Sequence, residues 1–257
     1  MTKLVILPCH SIWKPGPTLG DSRQEWSLAS FQVEGNDHLS FKEHITRSLD
    51  YLRSDPDAYL VISGGQTKRE LGPVSESLSY YLLAQALLKE ESIELNNRIT
   101  TEEFARDSFE NVIFLICRYY EIFGKYPDSI TIIGFEFKRI RFLDYHMQAL
   151  KWPSSNVEYI GNLPNPDLVR DQRQKYFEDL EASEFKHAVE HFKADKFGTK
   201  SPLIEKKLSR NPFSRSHGYE ISNPLLAPFL RAIRNRTQEE DDKIMLKLEG
   251  APWIQGK

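Results

Sequence analysis

Polar and charged side chains follow the strand-like segments of this chain, and their types suit the binding of an anion. The segment YLVISGGQTK sets Ser63, Gly64, Gly65 and Gln66 directly after a buried strand. Glycine permits positive φ and removes side-chain bulk, so successive backbone N–H groups can point at one ligand. Lys68 adds a positive charge, and a helix that begins beyond it adds a partial one. The segment predicts a phosphate or carboxylate site, although a strand followed by two glycines also forms an ordinary tight turn.

Further loops at the same predicted edge carry similar residues. His10 and Ser11 follow the first strand-like run, and Lys138 and Arg141 follow a later one. Arginine can bind a phosphate or carboxylate through two hydrogen bonds. A histidine satisfied in the core and a basic helix start that faces solvent are the alternative interpretations. Because the carboxyl ends of parallel strands meet at one edge of a sheet, we expect these side chains around one pocket.

Acidic side chains lie at the helix starts that follow these loops. Glu103, Asp107 and Glu110 stand at i, i+4 and i+7, and Asn111 opens an otherwise apolar helix. Beside a phosphate, Glu103 or the earlier Glu76 could act as a general base or bind Mg²⁺. The acids could equally complement the helix dipole or pair with a basic residue. We predict Glu103 and Glu76 as catalytic residues, Glu110 and Asn111 as ligand-binding residues, and no metal ligands.

Several common site motifs are missing from the sequence. It has no GxGxxG fingerprint, no P-loop, no nucleophile elbow and no zinc-type spacing of cysteine and histidine. His187 and His191 stand four residues apart on a predicted helix, but no third ligand is near them in the sequence. A solvated helix face is the favoured interpretation of that pair.

Alternating strand-like and helical segments must position these loops. Four apolar runs rich in β-branched residues lack clean alternation, as expected for strands buried on both faces, and a fifth run is weaker. Helical patterns lie between them, with predicted starts at Pro73 and at a capping Ser108. The alternation predicts an α/β fold, a right-handed, mostly parallel sheet flanked by helices. The runs are 4–7, 59–62, 130–133 and 157–160, with the weaker one around 98–100.

The alternation ends near residue 165, which divides the chain into two predicted parts. Residues 1–165 form the sheet domain, and residues 166–257 form a helical and irregular extension that packs on it. Within the extension, the segment SRNPFSRSHGY could be a lid that adds charge over the pocket. It could equally be a strap that packs Phe213 and Tyr219 on the core. The charged tail after Arg234 is expected to be loosely attached.

Composition limits the class of protein. Apolar residues make up 40% of the chain, which predicts a substantial core, and the net charge of −3 argues against a nucleic-acid binder that acts through bulk charge. Cys9 and Cys117 lie in apolar runs and are expected to be buried free thiols. No apolar stretch is long enough to span a bilayer, and the N-terminal run is too short for a signal peptide. A cytoplasmic protein is expected, and nothing in the sequence indicates its oligomeric state.

Taken in order, three segments resemble the SanA/YdcF-like family, a domain family of unknown function. LVISGGQTKRE, TTEEFARDSFENV and ITIIGFEFKRIRF are similar to its Ser-Gly-Gly strand end, its Glu-x-x-[Ser/Ala]-x-x-Thr-x-x-Asn segment and its later basic motif. The resemblance covers about residues 1–165 and looks like a fungal or other eukaryotic branch. It implies a Rossmann-like fold and a ligand site formed by these segments. The matching residues are Ser63, Gly64, Gly65, Glu76, Glu103, Ser108, Glu110, Asn111 and Arg141.

One position departs from the family pattern. The family has a histidine three residues before the arginine, and Lys138 stands there in this chain. Histidine shuttles protons near neutral pH, whereas an exposed lysine stays charged and binds anions. If the family histidine only contacts an anion, Lys138 can substitute for it. If that histidine is an acid or base, the chemistry of this chain differs.

Three functions are compatible with these residues. The first is an enzyme that acts on a phosphorylated or nucleotide-like small molecule by hydrolysis or group transfer, with or without Mg²⁺. The alternative is a non-catalytic protein that binds a metabolite or S-adenosylmethionine in a Rossmann-like pocket. A scaffold whose extension binds a partner is the third. The expected ligand is a small anionic molecule, with no nucleic acid partner and no membrane span.

Overall fold

A computed structural model describes residues 2–88 and 93–254 of the chain and is built around a parallel β-sheet. Within these residues the sheet has five strands, all parallel, in the order β3-β2-β1-β4-β5. The chain builds outward from β1 to β3 and then returns to the other side of β1. This confirms the predicted α/β fold class and matches a Rossmann-like arrangement. The strands are β1 Lys3–Pro8, β2 Ala58–Ser63, β3 Ile99–Glu102, β4 Ser129–Phe135 and β5 Val157–Asn162.

The central strand is buried on both faces, as its continuous apolar sequence predicts. Leu4, Val5, Ile6 and Leu7 have no exposed surface. Because successive side chains of a strand point to opposite faces, Leu4 and Ile6 belong to one core cluster and Val5 and Leu7 to the other. The weaker fifth run is also a strand, which begins at Ile99.

Helices cover both faces of the sheet. Helices α2 and α3 lie on one face, and α5 lies on the other together with much of the C-terminal region. Two π-helical segments, Arg141–Met147 and Phe185–Val189, adjoin the regular helices. The α-helices are α1 Ser30–Glu34, α2 Asp37–Ser54, α3 Glu76–Leu88, α4 Ile93–Asn96, α5 Ser108–Phe123, α6 Arg170–Glu184, α7 Glu190–Ala194, α8 Leu203–Ser209, α9 Tyr219–Ser222, α10 Ala227–Ile233 and α11 Asp241–Leu246.

The two predicted helix starts are each wrong by one to three residues. Ser108 is the first residue of α5 and not its cap. The cap is Asp107, whose side chain accepts a hydrogen bond from the Glu110 N–H at 2.8 Å. Helix α3 begins at Glu76 and not at Pro73, because Gly72 has a φ of 74° and the chain is still turning there. These shifts place one carboxylate at the start of each helix, where it complements the helix dipole.

Helix α5 is apolar almost all round because it contacts the sheet on one side and the C-terminal region on the other. Phe109 packs against Phe197 and Phe229, with ring centroids 5.4 and 6.4 Å apart. Phe114 packs against Tyr219 at 5.3 Å. Side chains from residues 166–257 therefore complete the core on this face; they include Phe192, Phe197, Leu203, Leu226, Phe229 and Leu230.

The expectation of a loosely attached tail is wrong. Ile244, Leu248 and Ala251 have no exposed surface and belong to the same core cluster as α5. Trp253 packs on Trp152 with ring centroids 4.8 Å apart, and its indole N–H donates to the Leu150 carbonyl at 2.8 Å. Charged residues between these positions obscured the apolar contacts, because the tail buries single side chains and not a continuous face.

The structure also bears on the two cysteines and on the length of the helices. Cys9 and Cys117 are buried free thiols, and burial raises the pKa of both thiols well above their ordinary range. Across residues 2–88 and 93–254, every helix is too short or too polar to cross a bilayer.

The tail gives the first testable prediction. Replacing Leu248 by alanine removes a fully buried side chain, and it should lower the unfolding free energy by about 2–5 kcal/mol. Leu246, two residues earlier and 57% exposed, is the matched control, and Leu246→Ala should change stability by less than about 0.5 kcal/mol. Urea unfolding followed by tryptophan fluorescence measures both. Equal midpoints for the two variants would contradict the packing of the tail.

Candidate functional site

A cavity of about 360 Å³ lies beyond the carboxyl ends of the strands, where β1 and β4 lie side by side and the sheet order changes direction. Ligands of open α/β sheets bind in this crevice, because the loops that follow neighbouring strands diverge there. The cavity is lined by Pro8, Cys9, His10, Ala29, Phe31, Gln32, Gly64, Thr67, Lys68, Glu76, Ala105, Arg106, Asp107, Ser108, Asn111, Lys138, Arg141, Phe142 and Arg210.

Half of the predicted site residues line this cavity and half do not. The structure brings His10, Gly64, Glu76, Asn111, Lys138 and Arg141 together around it. Ser11, Ser63, Gly65, Gln66, Glu103 and Glu110 lie outside the lining. Lining residues that sequence reasoning did not assign to the ligand include Phe31 and Gln32, which follow no strand and so carried no signal of position.

Lys138 is the basic residue most affected by this environment. It ends a 3₁₀ turn after β4, and its Nζ lies 3.3 Å from His10 Nδ1 and 5.1 Å from the centre of the Phe135 ring. Burial, together with the positive charge of Arg141, lowers the pKa of Lys138 to about 8, and the negative charges of Glu184 and Asp37 only partly oppose this. Lys138 is half-buried and not fully exposed as expected, and with this pKa the side chain is still mainly charged at pH 7.

His10 is neutral and accepts the Lys138 hydrogen bond. Burial lowers the pKa of His10 well below its ordinary range, and the charge of Lys138 acts in the same direction. Its ring stacks on Phe135 with centroids 5.3 Å apart. When the ammonium of Lys138 donates to Nδ1, the ring proton is on Nε2, which is buried and has no hydrogen-bond partner among the described residues. The two sequence interpretations therefore meet: His10 is packed in the core and also lines the cavity.

Arg141 is paired with a carboxylate of the extension. Its Nε lies 2.9 Å from Glu184 Oε1 at the end of α6, and the two side chains are 13% and 10% exposed. No local pattern in the sequence indicates this partner, which lies 43 residues further along the chain. The pairing orients the guanidinium at the cavity wall, and it neutralises part of its charge.

Three cations at the cavity have only neutral hydrogen-bond partners in the part of the chain that the structure describes. They are Lys138, which contacts the neutral His10; Lys68, which donates to the Ser27 carbonyl and to Ser27 Oγ; and Arg210, which donates to the Arg106 carbonyl. Burial lowers the pKa of Lys68, against the nearby Glu76 and Glu70. Positive charge at the cavity is therefore only partly compensated by the protein.

Glu76 is the predicted catalytic carboxylate that does line the cavity. Its Oε1 accepts a hydrogen bond of 2.5 Å from Thr67 Oγ1. Burial raises the pKa of Glu76, and the Thr67 hydrogen bond and the charges of Arg210, Lys68 and Lys138 oppose this. The pKa of Glu76 is thus closer to neutral pH than that of a surface glutamate, which favours a role as general acid or base.

The two glycines after β2 have a different role from the predicted one. Neither adopts positive φ, and their N–H groups donate to the carbonyls of Glu102 and Ala105, so they do not point at a ligand. A Cβ on Gly64 would lie 2.8 Å from Glu76 Cβ and 3.0 Å from Cys9 Cβ, and one on Gly65 would lie 2.8 Å from the Ala105 carbonyl oxygen. The glycines allow neighbouring segments to approach β2 closely.

Glu103, the other predicted catalytic residue, faces a different environment. Its Oε2 lies 3.6 Å from Arg215 Nη1, and its Oε1 accepts a hydrogen bond from Thr101 Oγ1 at 3.2 Å. Arg215 also packs over the Phe104 ring at 4.5 Å. Glu103 therefore contacts the extension and not the cavity, which matches the alternative that it pairs with a basic residue.

The other predicted residues outside the lining support its walls. Ser11 is fully buried and donates to the Ser27 carbonyl at 2.8 Å. Gln66 is directed to the Pro73 carbonyl at 2.9 Å. Glu110 accepts hydrogen bonds from Arg106 Nε and Nη2 at 2.9 and 2.6 Å. Each of these polar groups already has a protein partner.

A buried charge cluster joins the extension to the start of α5. Lys207 of α8 has no exposed surface; its Nζ donates to the Phe197 carbonyl at 2.7 Å and lies 3.3 Å from Asp107 Oδ2 and 3.5 Å from Glu110 Oε1. Burial raises the pKa of Asp107. Burial acts in the same direction on Glu110, but the charge of Lys207 and the Arg106 hydrogen bonds outweigh it and lower the Glu110 pKa to about 2. In the sequence IEKKLS, Lys207 is indistinguishable from a residue of a solvated helix.

Glu102 at the end of β3 holds the segments behind the cavity together. Its carboxylate accepts hydrogen bonds from Ser63 Oγ at 2.8 Å and Tyr219 Oη at 3.1 Å, and from the N–H groups of Phe104 and Ala105 at 2.8 and 3.2 Å. Ser63 Oγ also lies 2.9 Å from Asn111 Oδ1, so the network reaches the cavity wall. Tyr219 is 3% exposed, so the segment SRNPFSRSHGY packs on the core here, as the strap interpretation predicts. Arg210 of the same segment lines the cavity and adds a positive charge, as the lid interpretation predicts.

The Glu102 network gives a pH-dependent prediction. Burial raises the pKa of Glu102 from 4.5 to about 7, and the four hydrogen bonds only partly oppose this. The folded chain then binds this proton more tightly than the unfolded chain, so the contribution of Glu102 to stability is full below pH 4.5 and is lost as the pH rises to about 7. The loss is on the order of 3 kcal/mol. Glu102→Gln should flatten this slope in thermal or urea unfolding between pH 5 and pH 8.

The slope, and not the absolute stability, is the readout of that experiment. Burial also raises the pKa of Asp37 to about 7, but Asp37 contributes equally to the wild type and the variant. The exposed Glu70 provides the control, because Glu70→Gln should leave the slope unchanged. Parallel pH curves for the wild type and Glu102→Gln would show that Glu102 does not bind the proton.

Comparison with known proteins places the chain beside one fungal sequence. No family model matches the chain, and no solved structure matches it. The chain is 38% identical over 260 residues to "Uncharacterized protein YOR238W" of Saccharomyces cerevisiae, and the alignment covers 84% of this chain and 86% of the yeast protein. At this identity and coverage, the chain belongs to the same family as the yeast protein YOR238W.

Proposed function

We propose that the cavity at the β1/β4 edge binds a small phosphorylated or nucleotide-like molecule, with its anionic group between Lys138 and Arg141. The observation that carries the proposal is the set of lining cations whose described partners are neutral groups: Lys138, Lys68 and Arg210. Lys138 and Lys68 are half-buried and Arg210 is exposed, and the charge of Glu76 acts on all three of them. An anionic ligand would add counter-charge to that of this one carboxylate.

The shape and position of the cavity support the same proposal. Its volume of about 360 Å³ lies near the lower end of the range of ligand pockets, ~300–1,000 Å³, and suits a small molecule. It lies at the sheet edge where Rossmann-like proteins bind phosphorylated ligands. The resemblance to the SanA/YdcF-like family stays a prediction, and it points to the same segments.

Within this proposal, Lys138 and Arg141 position the anion and Glu76 transfers a proton. The pKa of Glu76 is raised by burial, and its side chain is oriented by Thr67, as a general acid or base requires. Glu103 has no part in this step, because it contacts Arg215 outside the cavity. The reaction class is hydrolysis or group transfer at the phosphorylated group, which stays part of the proposal.

A Mg²⁺ requirement is an open part of the same proposal. Over the described ranges 2–88 and 93–254, no group of three histidine, cysteine or acidic side chains is arranged to hold a metal ion. Mg²⁺ is usually held by one or two carboxylates together with substrate phosphates, and Glu76 and Asp107 are the acidic residues that line the cavity. Two carboxylates do not complete the coordination of Mg²⁺, so the ligand phosphate would supply further oxygen ligands to the ion.

The second candidate is a protein that binds a metabolite or S-adenosylmethionine without turnover. The observation that favours it is the pairing of cavity groups within the protein, Glu76 with Thr67 and Arg141 with Glu184. Groups held in this way form a rigid binding surface and are less available to react. Binding without conversion is the result that separates this candidate from the first.

Lys138 gives the decisive binding prediction. Lys138→Met keeps the length of the aliphatic stem and removes the charge, and it should weaken binding of ribose 5-phosphate and AMP about 10–100-fold, the value of a hydrogen bond to a charged group. The exposed Lys125 lies on the loop before β4, at the opposite edge of the sheet, and Lys125→Met should have no effect. Isothermal titration calorimetry measures both variants, with S-adenosylmethionine as a further probe and each titration run with and without Mg²⁺.

The pH dependence of the same titration tests the assignment. Since the free Lys138 has a pKa of about 8, affinity for a phosphate should fall as the pH rises above 8, by up to about tenfold per pH unit. Lys138→Met should remove this fall. Unchanged affinity in Lys138→Met at pH 7 would show that the anion does not bind at this lysine.

Glu76 gives the test of catalysis. The full-length protein is incubated with the phosphorylated compounds that bind it, and release of phosphate or a new product is followed with time, with and without Mg²⁺. Glu76→Gln should lower the rate about 10²–10⁴-fold, the usual contribution of general acid–base catalysis, while binding is retained. Glu103→Gln is the matched control and should keep the rate. Binding of a compound without any conversion would support the second candidate.

A further inference from the structure

Helix α1 at the edge of the cavity buries a polar side chain and exposes an aromatic one, the reverse of the usual arrangement. Gln32 is 6% exposed, whereas the neighbouring Phe31 is 76% exposed, and both line the cavity. Burial of a phenylalanine side chain is favourable by roughly 1.5–3 kcal/mol, so a short helix that serves only packing would turn the ring inward. Single exposed apolar residues are common, but this one stands at the edge of a charged cavity beside a buried amide.

The buried side chain of Gln32, next to Phe31, is held by two hydrogen bonds. Gln32 Nε2 donates to the His10 carbonyl at 3.1 Å, and Gln32 Oε1 accepts from the Ala29 N–H at 2.8 Å. The first contact ties α1 to the loop after β1 that carries His10, and the second closes the start of α1 on its own N-cap residue, Ala29. The buried amide therefore fixes the position of α1 at the cavity, and Phe31 lies on the exposed side of that helix.

The ligand that fits these two surfaces has a charged end and a flat apolar end. Lys138 and Arg141 hold the charged end, and the open face of the Phe31 ring is available to a planar group. Stacking on an aromatic side chain is the usual way in which proteins contact a nucleobase without reading its edges. Phe31 carries no hydrogen-bonding group, so it selects for a base but not for one particular base.

We propose that Phe31 stacks on the base of a nucleoside monophosphate whose phosphate lies at Lys138 and Arg141. The inference rests on the proposed function, and it names a nucleotide where that proposal allows any phosphorylated small molecule. The cavity volume of about 360 Å³ favours a mononucleotide over a dinucleotide cofactor.

The test compares nucleotides with the same sugar phosphate without a base. Calorimetric titrations of the full-length chain use AMP, GMP, CMP and UMP on one side and ribose 5-phosphate on the other. Stacking contributes about 1–3 kcal/mol per base, so Phe31→Ala should weaken the nucleotides about 5–150-fold and leave ribose 5-phosphate unchanged. Phe31→Tyr keeps the ring and should restore nucleotide binding. Phe185, 52% exposed and outside the lining, is the control, and Phe185→Ala should change neither ligand.

Each other outcome overturns the inference in a distinguishable way. If ribose 5-phosphate binds as tightly as the nucleotides and Phe31→Ala changes nothing, the base is not recognised, while the proposed phosphate site stands. If Phe31→Ala weakens both kinds of ligand equally, Phe31 only shapes the cavity. If neither kind binds the wild type, the proposed function fails and the inference fails with it.

Discussion

The buried ammonium group of Lys207 joins the sheet and the extension at the start of α5, next to the candidate site. It lies between the Phe197 carbonyl of the extension and the carboxylates of Asp107 and Glu110 at the start of α5. Removal of one partner from such a cluster leaves an uncompensated charge in the interior, at a typical cost of about 3–5 kcal/mol. Asp107 and its neighbour Arg106 also line the cavity, so this interaction fixes one wall of the candidate site as well as the docking of the extension.

The cavity combines burial with an excess of positive charge, and the two effects depend on each other. Aromatic rings around His10 exclude water, which keeps that imidazole neutral and lowers the pKa of Lys138. A neutral histidine can orient the lysine but cannot neutralise it. Glu184 is paired with Arg141, and Glu110 with Arg106 and Lys207. Glu76 is the nearby carboxylate whose charge acts on Lys68, Lys138 and Arg210. The proposal of an anion site therefore depends on the surroundings of these basic residues and not on their number.

The sequence predicted the sheet well and the site only in part, for reasons that differ between residues. Parallel strands buried on both faces are continuous apolar runs, so β1, β2, β4 and β5 could be read directly. Loops after those strands had to meet at one edge, which correctly grouped His10, Glu76, Lys138 and Arg141 around one cavity. A residue type does not show which way its side chain points, however, and Glu103 and Gln66 point away from the cavity.

Other features depend on contacts between distant parts of the chain and left no local signal. The glycines after β2 were interpreted as ligand-binding amides, but the need for them comes from the atoms of Glu76, Cys9 and Ala105 that crowd them. Lys207 and Glu184 lie in segments whose sequences are typical of solvated helices. Only the folded chain brings them next to the cavity residues Asp107 and Arg141. Phe31 follows no strand, and its position at the cavity comes from the amide of its neighbour.

The second apolar face of α5 has a consequence for the extension. Phe109 and Phe114 make their aromatic contacts on this face with Phe197, Phe229 and Tyr219, all beyond residue 165. A chain shortened at that residue would present an interior aromatic layer to water, and a surface of this kind drives self-association. The sheet and the extension therefore share one hydrophobic core on this face, and each covers apolar side chains of the other.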